Sequence, residues 1–511
     1  MAKKTMHIHL FHTTILDVLS EQSVNDMRAT AIIWLRQDLR LEDNPALVES
    51  LNSDYSVIPA YIYAPDEEGA WPSGAASRWW LHQSLKNLDK DLGALKSRLV
   101  IRRGDSLDEL QKLIAETKAV AVFWNRRYEP AAIARDTKIK EQLIDAQIEV
   151  KSFNASLLFE PWTIKNKAGK PFRVFTPFWK TCLSYAEPPE PLPAPANIHP
   201  PAKFPQSLAL DELELEPKIK WAEGIRQAWI PGESGAKVQL DKLIEDVLQD
   251  YSDSRNRPDQ AGVSRLSPYL HFGEIGPRQI WHRVKDEVGT KHGARLKTGA
   301  QVYLKEIVWR EFAYHLLYHF PYSQDRPLYE QFTDFPWRRD SRALKRWQRG
   351  LTGFPLVDAG IRELWHTGWM HNRVRMVVGS FLVKDLLLPW QDGARWFWDT
   401  LVDADLASNT MGWQWVAGCG ADAAPYYRVF NPILQGKKFD PDGDYVRKWV
   451  PELAALKGDK IHTPWLLSDE ELKQAGIVLG KSYPTPIVDH SAARLRALAA
   501  LKSIKEDTIL K

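Results

Sequence analysis

Residues 119–154 read AVAVFWNRRYEPAAIARDTKIKEQLIDAQIEVKSFN, and they contain two strand-like runs separated by a helical pattern. The run AVAVFWN (119–125) has the length and composition of a buried strand, and IEVKSFN (148–154) has those of the next strand. Pro130 stands near the start of the helical pattern, where a proline is well tolerated because the first backbone N–H has no helical partner. A strand, a helix and a strand in this order predict a βαβ unit with parallel strands.

The same alternation of strand-like runs and helical patterns extends back to residue 31. Further strand-like runs are AIIWL (31–35), SVIPAYIYA (56–64) and RLVIRRG (98–104). Strands that alternate with helices predict a parallel, Rossmann-like sheet with helices packed against it. We therefore predict an α/β N-terminal domain for residues 27–155, preceded by a disordered leader at 1–26.

The composition changes twice after residue 155. Residues 186–217 are rich in proline, which favours an extended connector without regular structure, so we assign 156–225 to a link between two domains. Beyond it the strand patterns vanish and helical periodicity dominates, as in LKEIVWREFAYHLLYHF (304–320). We predict that residues 226–511 form an all-helical C-terminal domain.

Composition limits the classes of protein that this chain can represent. Its 511 residues are 44% hydrophobic and 26% charged, which is typical of globular proteins, and no apolar run approaches the roughly 18 residues that span a bilayer. The net charge of +3 is too small to indicate nucleic acid by itself, so any DNA site must be a local basic patch. Cys182 and Cys419 form no C-x-x-C pair, which favours a reducing cytoplasm and argues against a zinc site.

Three patterns resemble functional motifs but lack the context that those motifs require. GCGADA (418–423) matches G-x-G-x-x-A, yet no strand precedes it, and GIVLGKS (476–482) is one residue short of a Walker A loop. His315 and His319 are four residues apart on a predicted helix, but no third ligand accompanies them. We expect packed or surface histidines there and no metal ion.

Two segments of the helical half suggest that a polar ligand is bound. In YSDSRNRPDQAGVSRLSPYL (251–270) a polar loop leads into a helix start that could offer backbone N–H groups to phosphate, although an ordinary capped helix would look similar. In TLVDADLASNTMGWQW (400–415) Asp403, Asp405 and Asn409 precede two tryptophans. Polar side chains in such an aromatic setting suggest a polar ligand, and helix capping is the alternative.

Two further segments place polar groups on apolar helices. In EIVWREF (306–312) Glu306, Trp309 and Arg310 share one helical face, which fits either an ion pair or a pocket that hydrogen-bonds a base edge and stacks on its ring. TGWMHNRVRMVVGSFLVKDLLLPW (367–390) is predicted to be a buried helix, although it carries several fixed hydrogen-bond donors. Such donors indicate that the helix surrounds a polar ligand.

Taken together, these segments resemble the DNA photolyase and cryptochrome family, most closely its bacterial cyclobutane pyrimidine dimer photolyases. The matching pieces cover nearly everything from residue 31 onward and are WLRQDLRLEDNPAL, SRLSPYLHFGEI, WREF, GWMHNRVRM, FLVKDLL, GWQW, DAAPYYRVFNP and YPTPIVDH. The resemblance implies an α/β N-terminal domain and a helical domain that holds non-covalent FAD. Under blue or near-ultraviolet light the reduced flavin would donate one electron, which splits the cyclobutane ring of a DNA lesion and then returns.

The resemblance also implies roles for individual residues. Those that would line the flavin site are Tyr251, Ser264, Arg265, Leu266, Ser267, Arg310, Arg375, Asp403, Asp405 and Asn409. Asn409 would face the reactive nitrogen of the flavin, where plant cryptochromes typically carry Asp, and this choice favours repair over signalling. In the lesion pocket, Glu306 and Asn372 would hydrogen-bond the flipped pyrimidines. Stacking and apolar walls would come from Trp309, Met376 and Trp415.

Two further sets of residues match the family. Trp413, Trp390 and Trp337 match its electron-transfer chain, through which an oxidised flavin is photoreduced from the surface. An indole is large and oxidisable, so a line of them can relay an electron. Those that would contact the DNA backbone near the lesion, through phosphate charge, are Arg255, Arg373 and Arg428.

Three positions depart from the family pattern. Val263 stands where a threonine is usual in the phosphate-binding segment, which removes one hydroxyl donor for FAD. In relatives with a folate antenna an Asn-Glu pair tends to follow the Y-E-x segment, but Ala131 and Ala132 occupy those places here. A second, light-harvesting chromophore therefore stays open between methenyltetrahydrofolate held differently, a deazaflavin and none.

The sequence thus predicts a light-driven lyase that repairs cyclobutane pyrimidine dimers. Its partner would be ultraviolet-damaged DNA, and we expect a cytoplasmic monomer without a membrane or an obligate protein partner. One alternative is a cryptochrome-type blue-light photoreceptor. A second is a photolyase for pyrimidine-pyrimidone photoproducts, although such enzymes typically use a histidine pair in the pocket where Asn372 stands. A non-enzymatic single-strand-binding protein is a third.

Overall fold

A five-stranded parallel sheet forms the N-terminal part of the protein, in the order β3-β2-β1-β4-β5. The strands are β1 (Thr30–Leu35), β2 (Ser56–Tyr63), β3 (Val100–Arg103), β4 (Ala121–Asn125) and β5 (Glu149–Phe153). They coincide with the five runs predicted from the sequence, so the parallel α/β sheet is confirmed. The strand order reverses between β1 and β4, and such a reversal opens a crevice at the carboxyl ends of the strands.

The computed structural model describes residues 28–291, 293–423 and 427–509. The predicted leader at 1–26 lies outside the described residues. Helices of the N-terminal part are α1 (Pro45–Asn52), α2 (Ala75–Ala94), α3 (Ser106–Thr117) and α4 (Pro130–Asp145). Pro130 is the first residue of α4, as its fixed backbone angle favours.

The two faces of the sheet pack against different parts of the molecule. Ile32 and Trp34 of β1 lie in a core formed with α3 and α4. The alternate residues Ala31 and Ile33 lie in a larger core that also contains Tyr269 of the helical part. Because successive side chains of a strand point to opposite faces, a single strand joins both cores. The division into domains at 27–155, 156–225 and 226–511 stays a prediction.

The remainder of the described chain is largely helical, as predicted. Its helices are α5 (Phe175–Cys182), α6 (Glu223–Ala228), α7 (Glu233–Lys242), α8 (Tyr251–Ser254), α9 (Ser267–Phe272), α10 (Pro277–Thr290), α11 (Ala294–His319), α12 (Ser341–Gln348), α13 (Pro355–Thr367), α14 (Asn372–Ser380), α15 (Trp390–Thr400), α16 (Leu406–Ala417), α17 (Pro432–Phe439), α18 (Asp444–Trp449), α19 (Asp469–Gln474) and α20 (His490–Ile509). None of these helices combines the length and the apolar character that crossing a lipid bilayer requires, as far as the described residues show.

The segment 367–390 is not the single buried helix that its apolar sequence predicts. Gly368 adopts the left-handed region with φ +68°, which ends α13 at Thr367. The next helix begins at Asn372, where the side chain of His371 accepts a hydrogen bond of 3.1 Å from the backbone N–H of Arg373. Caps thus override the hydrophobic periodicity and split the segment, because each helix end must satisfy its own backbone groups.

The proline-rich connector is extended between residues 186 and 209, but it forms a short 3-10 turn at Leu210–Leu213, contrary to the prediction that it holds no regular structure. It is fastened to α10 by side chains. The indole N–H of Trp281 donates to Glu187 at 2.6 Å, and His282 Nε2 lies 2.9 Å from the carbonyl oxygen of Pro188. The backbone N–H of Val57 on β2 donates to the carbonyl oxygen of His199 at 2.7 Å, so the connector links the sheet to α10.

The histidine pair of α11 binds backbone groups. The N–H of Phe172 donates to His315 Nε2 at 3.0 Å, so the proton of the neutral ring is on Nδ1, 3.2 Å from the carbonyl oxygen of Pro161. His319 Nε2 lies 3.1 Å from the same carbonyl. Burial lowers the pKa of His315 to about 3, which keeps the ring neutral. Within the described ranges, no three His, Cys, Asp or Glu side chains gather as metal ligands.

Candidate functional site

Asp403 joins three segments of the chain that are distant in sequence. The guanidinium of Arg375 on α14 donates to both of its carboxylate oxygens, at 2.7 and 3.0 Å. The hydroxyl of Ser267, at the start of α9, donates to the same carboxylate at 2.7 Å. Three of the predicted flavin residues therefore meet at one buried carboxylate.

Asp405, two residues along, caps α16 and ties it to α11. Its side chain accepts a hydrogen bond of 2.7 Å from the backbone N–H of Ser408, and the hydroxyl of Tyr314 donates to its other oxygen. One turn further, the amide of Asn409 donates to the carbonyl oxygen of Ala394 at 3.1 Å. Helix capping, the alternative suggested by the sequence, is thus one role of Asp405, and it also fixes the start of α16.

Arg310 on α11 lies beside the same network. Its guanidinium carbon is 4.8 Å from the ring of Tyr314, and it donates to the carbonyl oxygen of Ser156 at 2.6 Å. Burial would lower its pKa, but Tyr314 and Asp405 outweigh burial and raise the pKa of Arg310. A permanently charged guanidinium therefore stands between the carboxylates and the end of the sheet.

Arg265 provides a half-buried positive charge that forms no ion pair with a carboxylate among the described residues. Its backbone adopts the left-handed region with φ +53°, and its guanidinium carbon lies 4.0 Å from the ring of Trp229 and 5.2 Å from that of Trp369. Its Nε has no hydrogen-bond partner in the described part of the molecule. A desolvated cation of this kind suits an anionic ligand such as a diphosphate.

Leu266 and Tyr251, two more of the predicted flavin residues, belong to one hydrophobic core. Leu266 is buried, and its backbone N–H lies 3.4 Å from the hydroxyl oxygen of Ser264. The ring of Tyr251 is buried and contacts Tyr303 edge to face at 5.1 Å. Val263 is partly buried against the same core and offers no hydroxyl group. The segment 263–267 thus lines the site with one cation and two hydroxyl groups.

Glu306 and Arg255 form an ion pair one turn before Arg310 on α11. Arg255 donates to Glu306 at 2.6 Å, and about a quarter of each side chain is exposed. Burial raises the pKa of Glu306, and the neighbouring Arg255 opposes that effect. Trp309, on the same helical face, stacks on Phe175 with ring centroids 3.6 Å apart. The predicted acid of the lesion pocket is therefore close to a predicted phosphate-binding arginine.

The remaining predicted lesion residues lie near the start of α14 and on α16. Asn372 is exposed at the first position of α14, and Met376, four residues later, shares its helical face and is half-buried. Trp415 is half-buried, with its ring 6.3 Å from that of Phe430. All three side chains are thus accessible.

Three arginines create a region of positive charge here. Arg373 donates to Asn256 at 2.6 Å, and burial together with Arg255 and Arg428 lowers the pKa of Arg373. Arg428 itself is exposed. The predicted DNA-binding arginines therefore act on one another electrostatically, and a polyanion that contacted them would relieve this repulsion.

His371 was not predicted as a functional residue, yet it lies between the two sets. It is 2% exposed, and its Nε2 has no hydrogen-bond partner within the ranges that the structure describes. Burial, reinforced by Arg373, Arg375 and Arg255, lowers the pKa of His371 to about 3. Arg375, a predicted flavin residue, and Arg255 and Arg373, which are predicted to bind DNA, thus all act electrostatically on one neutral imidazole. The sequence gives no periodic signal for it, because its role depends on tertiary neighbours.

The three predicted relay tryptophans lie in adjoining elements. A Cβ atom at Gly393 of α15 would come within 2.1 Å of the ring of Trp413, so that ring packs directly on the helix that begins at Trp390. The backbone N–H of Arg338 donates to the carbonyl oxygen of Leu387 at 2.8 Å, which fastens Trp337 near the same helix start. Trp413 and Trp390 are buried, whereas Trp337 is half-buried. Two buried tryptophans and one near the surface are what a relay to the surface requires.

A cavity that is partly open to solvent lies between the sheet and the helices. Trp71 and Trp398 line it, with ring centroids 5.5 Å apart and edge-to-face geometry. Ala131 and Ala132, the two departures from the folate pattern, are also in its wall. Aromatic walls of this kind are typical of sites for small organic ligands.

The fold and the site together define a cofactor-binding protein with a parallel α/β part and a helical part. The sequence model of the DNA photolyase family matches residues 31–196, and that of the FAD binding domain of DNA photolyase matches residues 303–503. A deoxyribodipyrimidine photo-lyase of Agrobacterium fabrum is 48% identical over 481 residues, which cover 94% of this chain and 99% of that protein. Cryptochrome-1 of Arabidopsis thaliana is 41% identical over 484 residues, which cover 93% of this chain and 70% of that protein.

A solved structure supports the same assignment. The crystal structure of a bacterial class III photolyase from Agrobacterium tumefaciens matches with a TM-score of 0.90 and 47% identity, and the match covers 94% of this chain and 98% of that chain. The chain belongs to the DNA photolyase family, as the sequence motifs predicted. It carries the FAD-binding domain of that family, so FAD is its cofactor.

Proposed function

We propose that this protein uses light and reduced FAD to repair cyclobutane pyrimidine dimers in DNA. The observation that carries the proposal is the convergence of Arg255, Arg373 and Arg375 on His371, with Glu306 bound to Arg255. Residues suited to a flavin and residues suited to a DNA lesion are thereby neighbours. Two sites that exchange one electron must lie close together.

The residues of the flavin site fit the charge pattern of FAD. Arg265 has a buried Nε without a partner and would face the diphosphate, while Arg375, held by Asp403, would lie beside the isoalloxazine. Asn409 is half-buried one turn after the cap of α16, where its amide can serve a ring nitrogen. When bound and reduced, FAD supplies the single electron, and these residues hold it in place.

Glu306 and Asn372 are the proposed hydrogen-bond donors to the lesion. Electron uptake by a pyrimidine dimer places charge on its carbonyl oxygens, and a donor aimed at those oxygens stabilises that charge. Burial raises the pKa of Glu306, although Arg255 opposes that effect, and the protonated acid is the form that can donate. Trp309 and Trp415 offer flat apolar surfaces to the extruded bases with little demand for sequence.

The arginines at the pocket are proposed to bind the phosphate backbone. Arg428 is exposed and Arg373 is anchored by Asn256, so both present charge at the pocket without reading bases. A local basic region of this kind reconciles DNA binding with the net charge of +3. The monomeric state and the cytoplasmic location stay predictions.

A cryptochrome is the principal alternative, since a plant cryptochrome is also similar to this chain. Asn409 supports repair, because plant cryptochromes typically carry Asp at that position. The proposed pocket contains Trp309, Trp415 and the ion pair of Glu306 with Arg255. A photoreceptor that binds no lesion does not require such an aromatic and acidic pocket. Asn372 disfavours repair of the pyrimidine-pyrimidone photoproduct, because enzymes with that activity typically use a histidine pair in this pocket.

The cavity between the sheet and the helices is the proposed antenna site. Trp71 and Trp398 can pack on a flat heterocycle, and Ala404 and Leu406 of its wall are neighbours of the flavin residues Asp403 and Asp405. A short distance between a second chromophore and the flavin favours energy transfer from one to the other. Ala131 and Ala132 leave space in the cavity but offer no polar side-chain groups, so a folate would be held differently from the usual pattern.

The decisive experiment uses the reduced holoprotein and an oligonucleotide with a single cyclobutane dimer. Anaerobic illumination should restore the absorbance of the intact bases, whereas a dark sample should not change. A sample that keeps FAD and photoreduces normally, yet restores no absorbance, would exclude dimer repair. The same assay with a pyrimidine-pyrimidone oligonucleotide then separates the second type of repair from a photoreceptor.

A further inference from the structure

A strongly basic surface adjoins the outer end of the proposed electron relay. Residues 338–349 contain six Lys and Arg residues and a single Asp, although the whole chain has a net charge of only +3. The exposed cations of this segment, which we name the basic patch, are Arg338, Arg339, Arg342, Lys345 and Arg349. Within the residues that the structure describes, none of the five forms an ion pair with a carboxylate.

The helix that carries the patch is held rigidly. Asp340 caps α12 by accepting hydrogen bonds from the backbone N–H groups of Arg342 and Ala343, at 3.1 and 2.9 Å. Trp347 is fully buried, and its indole N–H donates to the carbonyl oxygen of Val378 at 3.1 Å. The cations at 342, 345 and 349 share the opposite face of the helix. They are therefore displayed to solvent on a fixed scaffold.

The positive region extends beyond α12. Burial and the nearby Arg338 lower the pKa of Arg496 on α20, so positive charges crowd together there. Arg339 and Arg395 both act electrostatically on the partly buried Asp392 of α15. Charge of one sign over several elements creates a field that attracts an anionic partner.

Trp337 lies immediately before this patch. Its ring is 4.3 Å from that of Phe335, it is half-buried, and Arg338 fastens the chain near the start of α15. We propose that the basic patch docks an acidic one-electron carrier protein, which re-reduces Trp337 after each photoreduction step. The inference rests on the proposed function, because it requires Trp337 to be the outer member of the relay.

The electron balance of the step is simple. Trp337 has passed one electron inward and lacks one electron; the reduced carrier gives one electron to its indole and is itself oxidised by one electron. No bond forms or breaks, and no proton needs to move. Undamaged DNA could also bind these cations, but a duplex supplies no electron. The position of an oxidisable indole beside the patch favours a redox partner.

The test uses the oxidised holoprotein under blue light without oxygen, with reduced ferredoxin as the acidic carrier. The rate of flavin reduction, after subtraction of a dark control, should rise with ferredoxin concentration and saturate. The double variant Arg342→Glu/Lys345→Glu should raise the half-saturating concentration by about tenfold at low salt, and the difference should disappear near about 0.5 M salt. Lys138→Glu/Lys140→Glu makes the same change of charge at exposed positions on α4 and should leave the value unchanged.

Two further measurements separate the possible failures. With dithiothreitol, a small uncharged reductant, Trp337→Phe should abolish most photoreduction, whereas Arg342→Glu/Lys345→Glu should not slow it. Normal photoreduction of Trp337→Phe would refute the relay and with it this part of the proposed function. If the relay holds but the charge reversal leaves the ferredoxin dependence unchanged, the docking inference is wrong. Weakened binding of an undamaged duplex, with no effect on ferredoxin, would assign the patch to DNA instead.

Discussion

At the scale of single residues, the site depends on charges that are buried beside partners or left without them. Arg375 is fixed by Asp403, and Arg255 is paired with Glu306, whereas Arg265 has a buried Nε that no described protein atom satisfies. An unpaired buried donor costs free energy in the free protein, and a bound anion recovers it. This difference separates residues that position a ligand from residues that bind it.

Glu306 is the residue whose protonation should control repair. Changing Glu306 to Ala should lower the repair yield per absorbed photon by about fivefold, the loss of roughly one hydrogen bond of about 1 kcal/mol, while FAD stays bound. Because the pKa is raised, the protonated donor is present below that pKa and is lost as the pH rises through it. The wild-type yield should therefore fall with increasing pH.

Glu306→Gln is the matched control, since its amide donates at every pH. Its repair yield should not change with pH in the range where that of the wild type falls. The measurement is the quantum yield of dimer splitting at several pH values, with flavin absorbance as the check on cofactor content. An unchanged yield in Glu306→Ala would contradict the assigned role.

At the scale of elements, close helix contacts position the tryptophans of the proposed relay. The ring of Trp413 on α16 occupies the space above Gly393 on α15, and no larger residue fits there. The caps at His371 and Asp405 fix the starts of α14 and α16. If the relay operates, small shifts of either helix would change the distances over which an electron travels.

Gly393→Ala tests this packing. Its Cβ would lie 2.1 Å from the ring of Trp413 and 2.6 Å from the side chain of Leu382. Overpacking should lower the free energy of unfolding by about 2 kcal/mol and slow flavin photoreduction, because Trp413 must move. Chemical denaturation and the rate of flavin bleaching measure the two effects.

Gly289→Ala on α10 is the control, because a Cβ there meets no atom within 4 Å. Alanine in an open helical position should raise stability by about 0.5–1 kcal/mol and leave photoreduction unchanged. Equal behaviour of the two variants would show that the contact between α15 and α16 does not constrain Trp413.

At the scale of the whole molecule, buried polar groups fasten the sheet and its helices to the helical part. Glu274, which is fully buried, accepts hydrogen bonds from Trp80 and Ser84 on α2 and from the backbone of Gly232. The cavity with Trp71 and Trp398 lies in the same junction, and the indole of Trp398 donates to the carbonyl oxygen of Pro72 at 2.7 Å. The junction is thus both a structural contact and the proposed antenna site.

Glu274 should make stability depend on pH. Burial raises its pKa to about 8, so between about pH 4.5 and 8 the folded protein keeps a proton that the unfolded chain has lost. The free energy of unfolding should therefore decrease as the pH rises through this range and level off above pH 8. The loss should amount to a few kcal/mol, since one pKa unit corresponds to about 1.4 kcal/mol.

Glu274→Gln should remove this dependence, because an amide does not titrate. Its free energy of unfolding should be lower than that of the wild type at low pH by about 1 kcal/mol, the contribution of one hydrogen bond. Denaturant titrations at pH 6 and pH 9 compare the two proteins. The idea fails if both lose the same stability between these pH values.

The antenna site should respond to Trp398. Trp398→Ala removes a flat wall of the cavity, so the protein should lose any second chromophore while it keeps FAD. Absorbance and fluorescence excitation spectra of the purified proteins measure this. Trp365→Ala, at an exposed tryptophan of α13, is the control and should retain both chromophores. Retention of a second chromophore by Trp398→Ala would place it elsewhere.

The sequence determined the features that depend on local order. Periodicity and backbone preferences predict the five strands of the sheet, the start of α4 at Pro130 and the shared helical face of Glu306, Trp309 and Arg310. The order of the motifs along the chain predicts the family. Local pattern failed at residues 367–390, where Gly368 and the His371 cap interrupt an apolar run. Helix ends are fixed by single hydrogen bonds that periodicity does not report.

Only the tertiary structure decided which distant residues meet. Several contacts join residues that are distant in the sequence. They are the ion pair of Arg255 with Glu306, the contact of Trp71 with Trp398 and that of Trp413 with Gly393. The electrostatic effect of three arginines on His371 likewise depends on packing. Burial and charge at each of these places are properties of the packed neighbours rather than of the residue itself. Sequence therefore predicts which chemical groups are present, and packing sets their distances, desolvation and protonation, on which the chemistry depends.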